Sequence, residues 1–131
     1  MKLAYVDTSC LVAIAFGEPG ARRLARRLEG YDRLLASNLL EAELRAALLR
    51  EKVDDRAEVL ISWMTWVYPD RPLTPEFKRI AAAGYLKGAD MWHLAHALFL
   101  APDAKGLDFL TLDQRQREVS TRLGFGGTAR P

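Results

Sequence analysis

The chain has 131 residues, 50% of them hydrophobic and 27% charged, with a formal net charge of +2 and a pI near 8.8. Those proportions indicate one globular domain over 1–131 that buries its own core, and they exclude disordered, collagen-like and coiled-coil classes. The mild basicity admits a nucleic-acid partner without requiring one, although fourteen of the nineteen basic residues are arginine, the side chain better suited to bidentate phosphate contact.

No apolar run reaches the ~20 residues of a membrane span. Asp7 interrupts what would be the apolar region of a signal peptide, so none is expected. Cys10 is the only cysteine, which precludes an intramolecular disulfide and fits a small buried hydrophobe in a reducing, cytoplasmic setting.

Lys2 to Ser9 is an apolar run closed by Asp7-Thr8-Ser9, the pattern of a strand buried on both faces in a parallel sheet. Such strands carry ligand chemistry at their carboxyl ends, so Asp7 is the first candidate site residue. A helix is expected to begin near Leu11 and to break at Gly17, Pro19 and Gly20. In Ala21 to Glu29, Ala21, Leu24, Ala25 and Leu28 recur at helical spacing. That leaves Arg22, Arg23, Arg26 and Arg27 together on an outward face, either an RNA-binding stripe or an ordinary solvated one.

Arg33 to Ala36 reads as a second strand, followed by a helix capped by Ser37 or Asn38 and running to about Lys52. Glu41 is accounted for by Asn38 and Arg45. Glu43 is not, because Leu39, Leu40, Ala46 and Ala47 surround it at helical spacing, so it needs a partner or a metal. Arg50, one turn along, is the plain alternative. Asp54 to Val67 reads as a further helix with Trp63 and Trp66 as core anchors, and Pro69 and Pro72 allow only an edge segment between them. A helix from about Pro75 to Lys87 follows.

Gly88-Ala89-Asp90 opens an apolar helix, Met91 to Ala101, on which Asp90, His93, Leu94, Ala97 and Leu98 share a face. Asp90 is then a second inward acid or a plain N-cap, and His93 reads as hydrogen-bonded packing rather than a metal ligand. Asp108 to Asp113 repeats the geometry of the first strand, a buried run ending in a carboxylate. A polar helix runs to about Leu123, and 124–131 reads as a loose tail.

Four acids therefore stand out: Asp7 and Asp113 at strand ends, Glu43 and Asp90 on inward helix faces. Convergent carboxylates raise one another's pKa unless a cation neutralises them, and oxygen-only ligation selects Mg²⁺ or Mn²⁺. The chemistry that uses such a site is phosphodiester hydrolysis. Thr8, Ser9 and Thr111 supply hydroxyls that would orient a carboxylate or a bound water.

Asp7-Thr8-Ser9, Glu43, Gly88-Ala89-Asp90 with His93-Leu94-Ala95, and Thr111-Leu112-Asp113, in that order over nearly the whole chain, resemble the PIN domain, and in particular the VapC toxins of toxin–antitoxin pairs. The resemblance implies an α/β/α sandwich with a central parallel sheet and a Mg²⁺- or Mn²⁺-dependent ribonuclease, commonly a homodimer. It implies Asp7, Glu43, Asp90 and Asp113 as the metal site, with Thr8, Ser9 and Thr111 near it, and a VapB-like antitoxin laid over the groove. The position after the third acid, small in many relatives, is Met91 here and is followed by Trp92, which alters the groove beside Asp90. Asp108 rivals Asp113 but begins its strand, at the wrong edge.

Two other readings stand beside the nuclease. Phosphotransfer with Asp7 as nucleophile would favour a second acid where Ser9 stands. A catalytically degenerate domain would bind RNA or a protein partner through the arginine helix.

Overall fold

The computed structural model describes residues 1–53 and 56–127. Four parallel strands, β1 (Leu3–Val6), β2 (Arg33–Ser37), β3 (Met64–Val67) and β4 (Asp108–Leu110), lie in the order β3-β2-β1-β4. Central position in the sheet explains the unbroken apolar composition of β1: Tyr5 is in register with Leu35 on one side and Phe109 on the other, and Ala4, Tyr5 and Val6 are fully buried.

The helices are α1 (Thr8–Ala15), α2 (Ala21–Glu29), α3 (Leu39–Arg50), α4 (Ala57–Ser62), α5 (Thr74–Ala83), α6 (Gly88–Leu100) and α7 (Gln114–Arg122). Parallel crossovers are right-handed, so their direction along the sheet decides which face the helices cover. β1 to β2 to β3 steps one way, and α1 to α4 pack together. β3 to β4 steps back across β1, and α5 and α6 pack with α7 as a second layer. The result is an α/β/α sandwich. Its topological switch lies between β1 and β4, and the crevice at their carboxyl ends is where such sheets bind ligands.

Several expectations change. The helix read over 54–67 is only α4, and Met64 to Val67 forms the edge strand β3, in register with Leu34 to Ser37. Apolar residues at mixed spacing suit either element, and pairing with β2 decides for the strand. Asp54 and Asp55 fall outside the described residues. Trp63 is accordingly no core anchor, at 39% exposed, and Trp66 is only half-buried.

The tail expected over 124–131 is packed as far as Gly127. Phe125 is buried, its ring centroid 6.0 Å from that of Phe109, and Gly126 bridges Asp108 while its carbonyl accepts the Phe109 N–H at 3.1 Å. Residues 128–131 lie outside the described residues. Gly127 has φ +73° with Asp108 against it, so a side chain there would be both strained and obstructed.

Arg27 also departs from expectation. It leaves the outward stripe of α2 and donates from Nη2 to the Gly127 carbonyl at 2.9 Å, while Arg22, Arg23 and Arg26 are exposed. Satisfying an otherwise open carbonyl beside the first residue of β4 accounts for the turn inward.

Phe125→Ala is expected to destabilise the fold by about 3 kcal/mol in urea denaturation, the usual cost of deleting a buried aromatic. A loose tail would leave the midpoint unmoved.

Candidate active site

Each acid is set by a different element. Asp7 follows β1 directly: its N–H continues the ladder to the Leu110 carbonyl at 2.9 Å, and its buried carboxylate caps α1 by accepting the Ser9 N–H at 3.1 Å. Asp113, three residues beyond β4, caps α7 by accepting the Gln116 N–H at 2.8 Å, and it is exposed. Because β1 and β4 are parallel neighbours, the two acids leave the same edge of the sheet. Asp108, at the opposite edge, accepts the Tyr31 hydroxyl at 2.6 Å and takes no part.

Asp90 sits in the first turn of α6 without capping it, since the helix opens at Gly88 with Lys87 in the cap position. Its carboxyl accepts no hydrogen bond among the described residues. Burial, then the charges of Asp7 and Asp113 and, more weakly, Glu43, raise it from 3.8 to about 6. A carboxyl left without donors and crowded by three acids is a place where a cation would be strongly favoured.

Glu43 meets the opposite environment. Its Oε1 accepts from Thr8 Oγ1 and from His93 Nε2, each at 2.7 Å. Burial acts to raise its pKa, but these two hydrogen bonds outweigh it and hold the carboxylate below its ordinary range. Arg50, the partner the helical spacing offers, is exposed beside Glu51 instead. The true partner lies fifty residues along the chain and across the sheet.

His93, 1% exposed, is fixed at its other nitrogen as well. The Ser37 N–H donates to Tyr5 Oη at 2.8 Å, and Tyr5 Oη lies 2.8 Å from His93 Nδ1. An ionised Glu43 only accepts, so Nε2 carries the proton toward it. Nδ1 is then the acceptor for the Tyr5 hydroxyl, and every donor in the row is satisfied. Burial pushes the Tyr5 phenol up, keeping that proton in place.

The three hydroxyls surround Asp7. Thr8 serves Glu43. Ser9 Oγ accepts the Leu112 N–H at 3.1 Å and stands 3.4 Å from Thr111 Oγ1. Thr111 accepts the Asp113 N–H at 3.1 Å, donates to Gln116 Oε1 at 2.6 Å and lies 3.4 Å from Asp7 Oδ2. Fully buried Gln116 completes the tie, its Nε2 donating to the Asp90 carbonyl at 3.2 Å.

The sequence marks neither Tyr5 nor Gln116 as a site residue, and it offers Ser37 only as a helix cap. A tyrosine amid Ala4 and Val6 is an ordinary strand residue, and a glutamine in a polar helix carries no mark. The one usable signal was a hydroxyl placed in a strand otherwise devoid of polar groups, which when buried needs a partner.

Among the described residues, no three His, Cys, Asp or Glu side chains are drawn together tightly enough to hold an ion as they stand. The donor chemistry nevertheless fits a hard divalent cation: oxygen throughout, with the Asp90 carboxyl free of hydrogen bonds among the described residues. Mg²⁺ normally keeps several waters and needs few direct carboxylates.

A family model described as the PIN domain matches residues 4–121, which span every acid and hydroxyl just described. No curated protein matches the chain.

The raised Asp90 carboxyl costs stability only where it is ionised in the folded state. Below pH ~4 it is protonated folded and unfolded alike, and above pH ~6 the penalty is complete. Asp90→Asn is therefore expected to stabilise the metal-free protein by about 1 kcal/mol near pH 7, after discounting for solvent screening, and to give no gain near pH 4. Equal effects at both pH values would mean that the Asp90 carboxyl is not raised by burial and its acidic neighbours.

Proposed function

Because the chain belongs to the PIN domain family, whose members are usually metal-dependent nucleases, we propose that it is an endoribonuclease hydrolysing RNA phosphodiester bonds at Asp7, Glu43, Asp90 and Asp113. On this reading it is the VapC-like toxin of a toxin–antitoxin pair, a cytoplasmic homodimer inhibited by a VapB-like antitoxin. The observation that carries the proposal is Asp90, a carboxyl without hydrogen-bond donors among the described residues that burial, and then the charges of Asp7 and Asp113, push up to about 6. No helix among the described residues is long and apolar enough to cross a membrane.

Asp7, Asp90, Glu43 and Asp113 would hold Mg²⁺ or Mn²⁺. Bound there, the cation polarises a phosphoryl oxygen and lowers the pKa of water. The chain's own part is positioning. His93 and Thr8 fix one Glu43 oxygen and leave Oε2 without a donor among the described residues. Thr111, held by Gln116, anchors the loop that carries Asp113 and keeps its hydroxyl beside Asp7. The helix dipoles of α1 and α7, whose N-termini Asp7 and Asp113 cap, favour negative charge at the same edge and suit a phosphate. Arg22, Arg23 and Arg26 would add phosphate contacts for a longer strand.

The competing reading, a domain that binds RNA without cutting it, draws on the absence of a tight three-ligand cluster among the described residues. Incubation with total RNA separates the two. Cleavage should require Mg²⁺ or Mn²⁺, cease with chelator, and fall by at least about 100-fold in Asp7→Asn with the fold intact, since removing one crowded acid relieves repulsion. RNA retained but uncut in every condition would favour the binding domain. His93→Leu should lower the rate by about 10–100-fold by releasing Glu43, the usual cost of losing a ligand's orienting partner.

A further inference from the structure

A cavity of about 760 Å³ opens between the carboxyl ends of β2 and β3 and the first turns of α6. Gly88 and Ala89, the two residues before Asp90, form part of its wall, and so does Ser37, whose N–H begins the row leading to Glu43. Trp92, Phe77 and Tyr68 make it aromatic. Its size falls within the ~300–1,000 Å³ of small-molecule sites.

One buried side chain in this wall keeps an acceptor without a donor among the described residues. His96 is 2% exposed, and its Nδ1 lies 2.7 Å from the Trp92 carbonyl, which can only accept. Nδ1 therefore carries the proton, and in the neutral ring Nε2 is an acceptor with no protein donor among the described residues. Burial lowers the pKa of His96 and favours that neutral ring. Trp92 packs against it at 4.7 Å and is locked by its own Nε1–H, which donates to Ser37 Oγ at 2.8 Å. The indole nonetheless remains 41% exposed, and Tyr68 near it is 70% exposed.

We propose that this cavity is a nucleobase subsite of the RNA substrate, in which a base stacks on Trp92 and donates an N–H to His96 Nε2. The proposal rests on the nuclease reading for the identity of the strand. Aromatic walls with a buried acceptor suit a base, because every base has a π-face and all four present an N–H. An anionic ligand is disfavoured: Arg71, the cation in the lining, is committed to Glu76 through two hydrogen bonds of 2.9 and 2.6 Å. Gly88 and Ala89 share the first turn of α6 with Asp90, and that shared turn is the link between this wall and the acids. On this account His96 and Trp92 determine base preference and do not touch the reacting atoms.

Base binding can be read without metal or turnover. Titrating the protein with each ribonucleoside monophosphate, with ribose phosphate as control, should shift the Gly88 and Ala89 amide resonances and the Trp92 indole N–H saturably for at least one base. Ribose phosphate should not reproduce those shifts. His96→Leu should weaken that binding by about fivefold, the worth of one hydrogen bond. Trp92→Leu, at an exposed position, should remove the binding with the fold retained. Shifts absent for every base, or equal with ribose phosphate, would overturn the proposal, as would occupancy by a protein segment alone. RNA cleavage without base binding would sink the subsite and leave the nuclease standing. Base binding without cleavage would do the reverse.

Discussion

The contact between His93 Nε2 and Glu43 Oε1, at 2.7 Å, joins the two helical layers across the end of the sheet. Glu43 comes from α3, His93 from α6, and Tyr5 and Ser37 extend the same row into β1 and β2. A half-buried carboxylate between apolar neighbours would otherwise be costly, and this row makes it an ionised, oriented group. The row is needed because the switch between β1 and β4 brings Asp7 and Asp113 to the same edge. Three further acids then face Asp90; Asp7 and Asp113 each accept a backbone N–H, and Glu43 is held by two side-chain hydrogen bonds of 2.7 Å.

That division has a chemical consequence. Two carboxyls in one site are driven apart, Glu43 held low by His93 and Thr8, Asp90 pushed high by burial and by Asp7 and Asp113. Like charges kept close without compensation are a strain on the fold, tolerated where a cation completes the site. Cys10, by contrast, is buried with its thiol pushed up, and serves as packing.

Much of this was legible in the sequence. Periodicity alone marks β1, β4 and α2, because each either fills a face or alternates sharply between core and solvent. The four acids stand out because each sits where an apolar pattern makes a charge conspicuous. What escaped is what depends on partners far along the chain. β3 is a strand only because β2 lies beside it, Phe125 is buried only because Phe109 offers a ring, and Glu43 finds His93 rather than the nearby Arg50 only after α6 folds across the sheet. The capping role offered for Asp90 failed for a local reason: α6 begins at Gly88, two residues before it.

The account turns on whether Asp90 is a crowded carboxyl awaiting a cation. A carbon-detected NMR titration of its carboxyl, with and without Mg²⁺, addresses this directly. A midpoint near 6 in the free protein, falling by a unit or more when Mg²⁺ is added, is the predicted result. An ordinary aspartate midpoint of ~4 that Mg²⁺ leaves unmoved would contradict the convergence of charge on which the site is built.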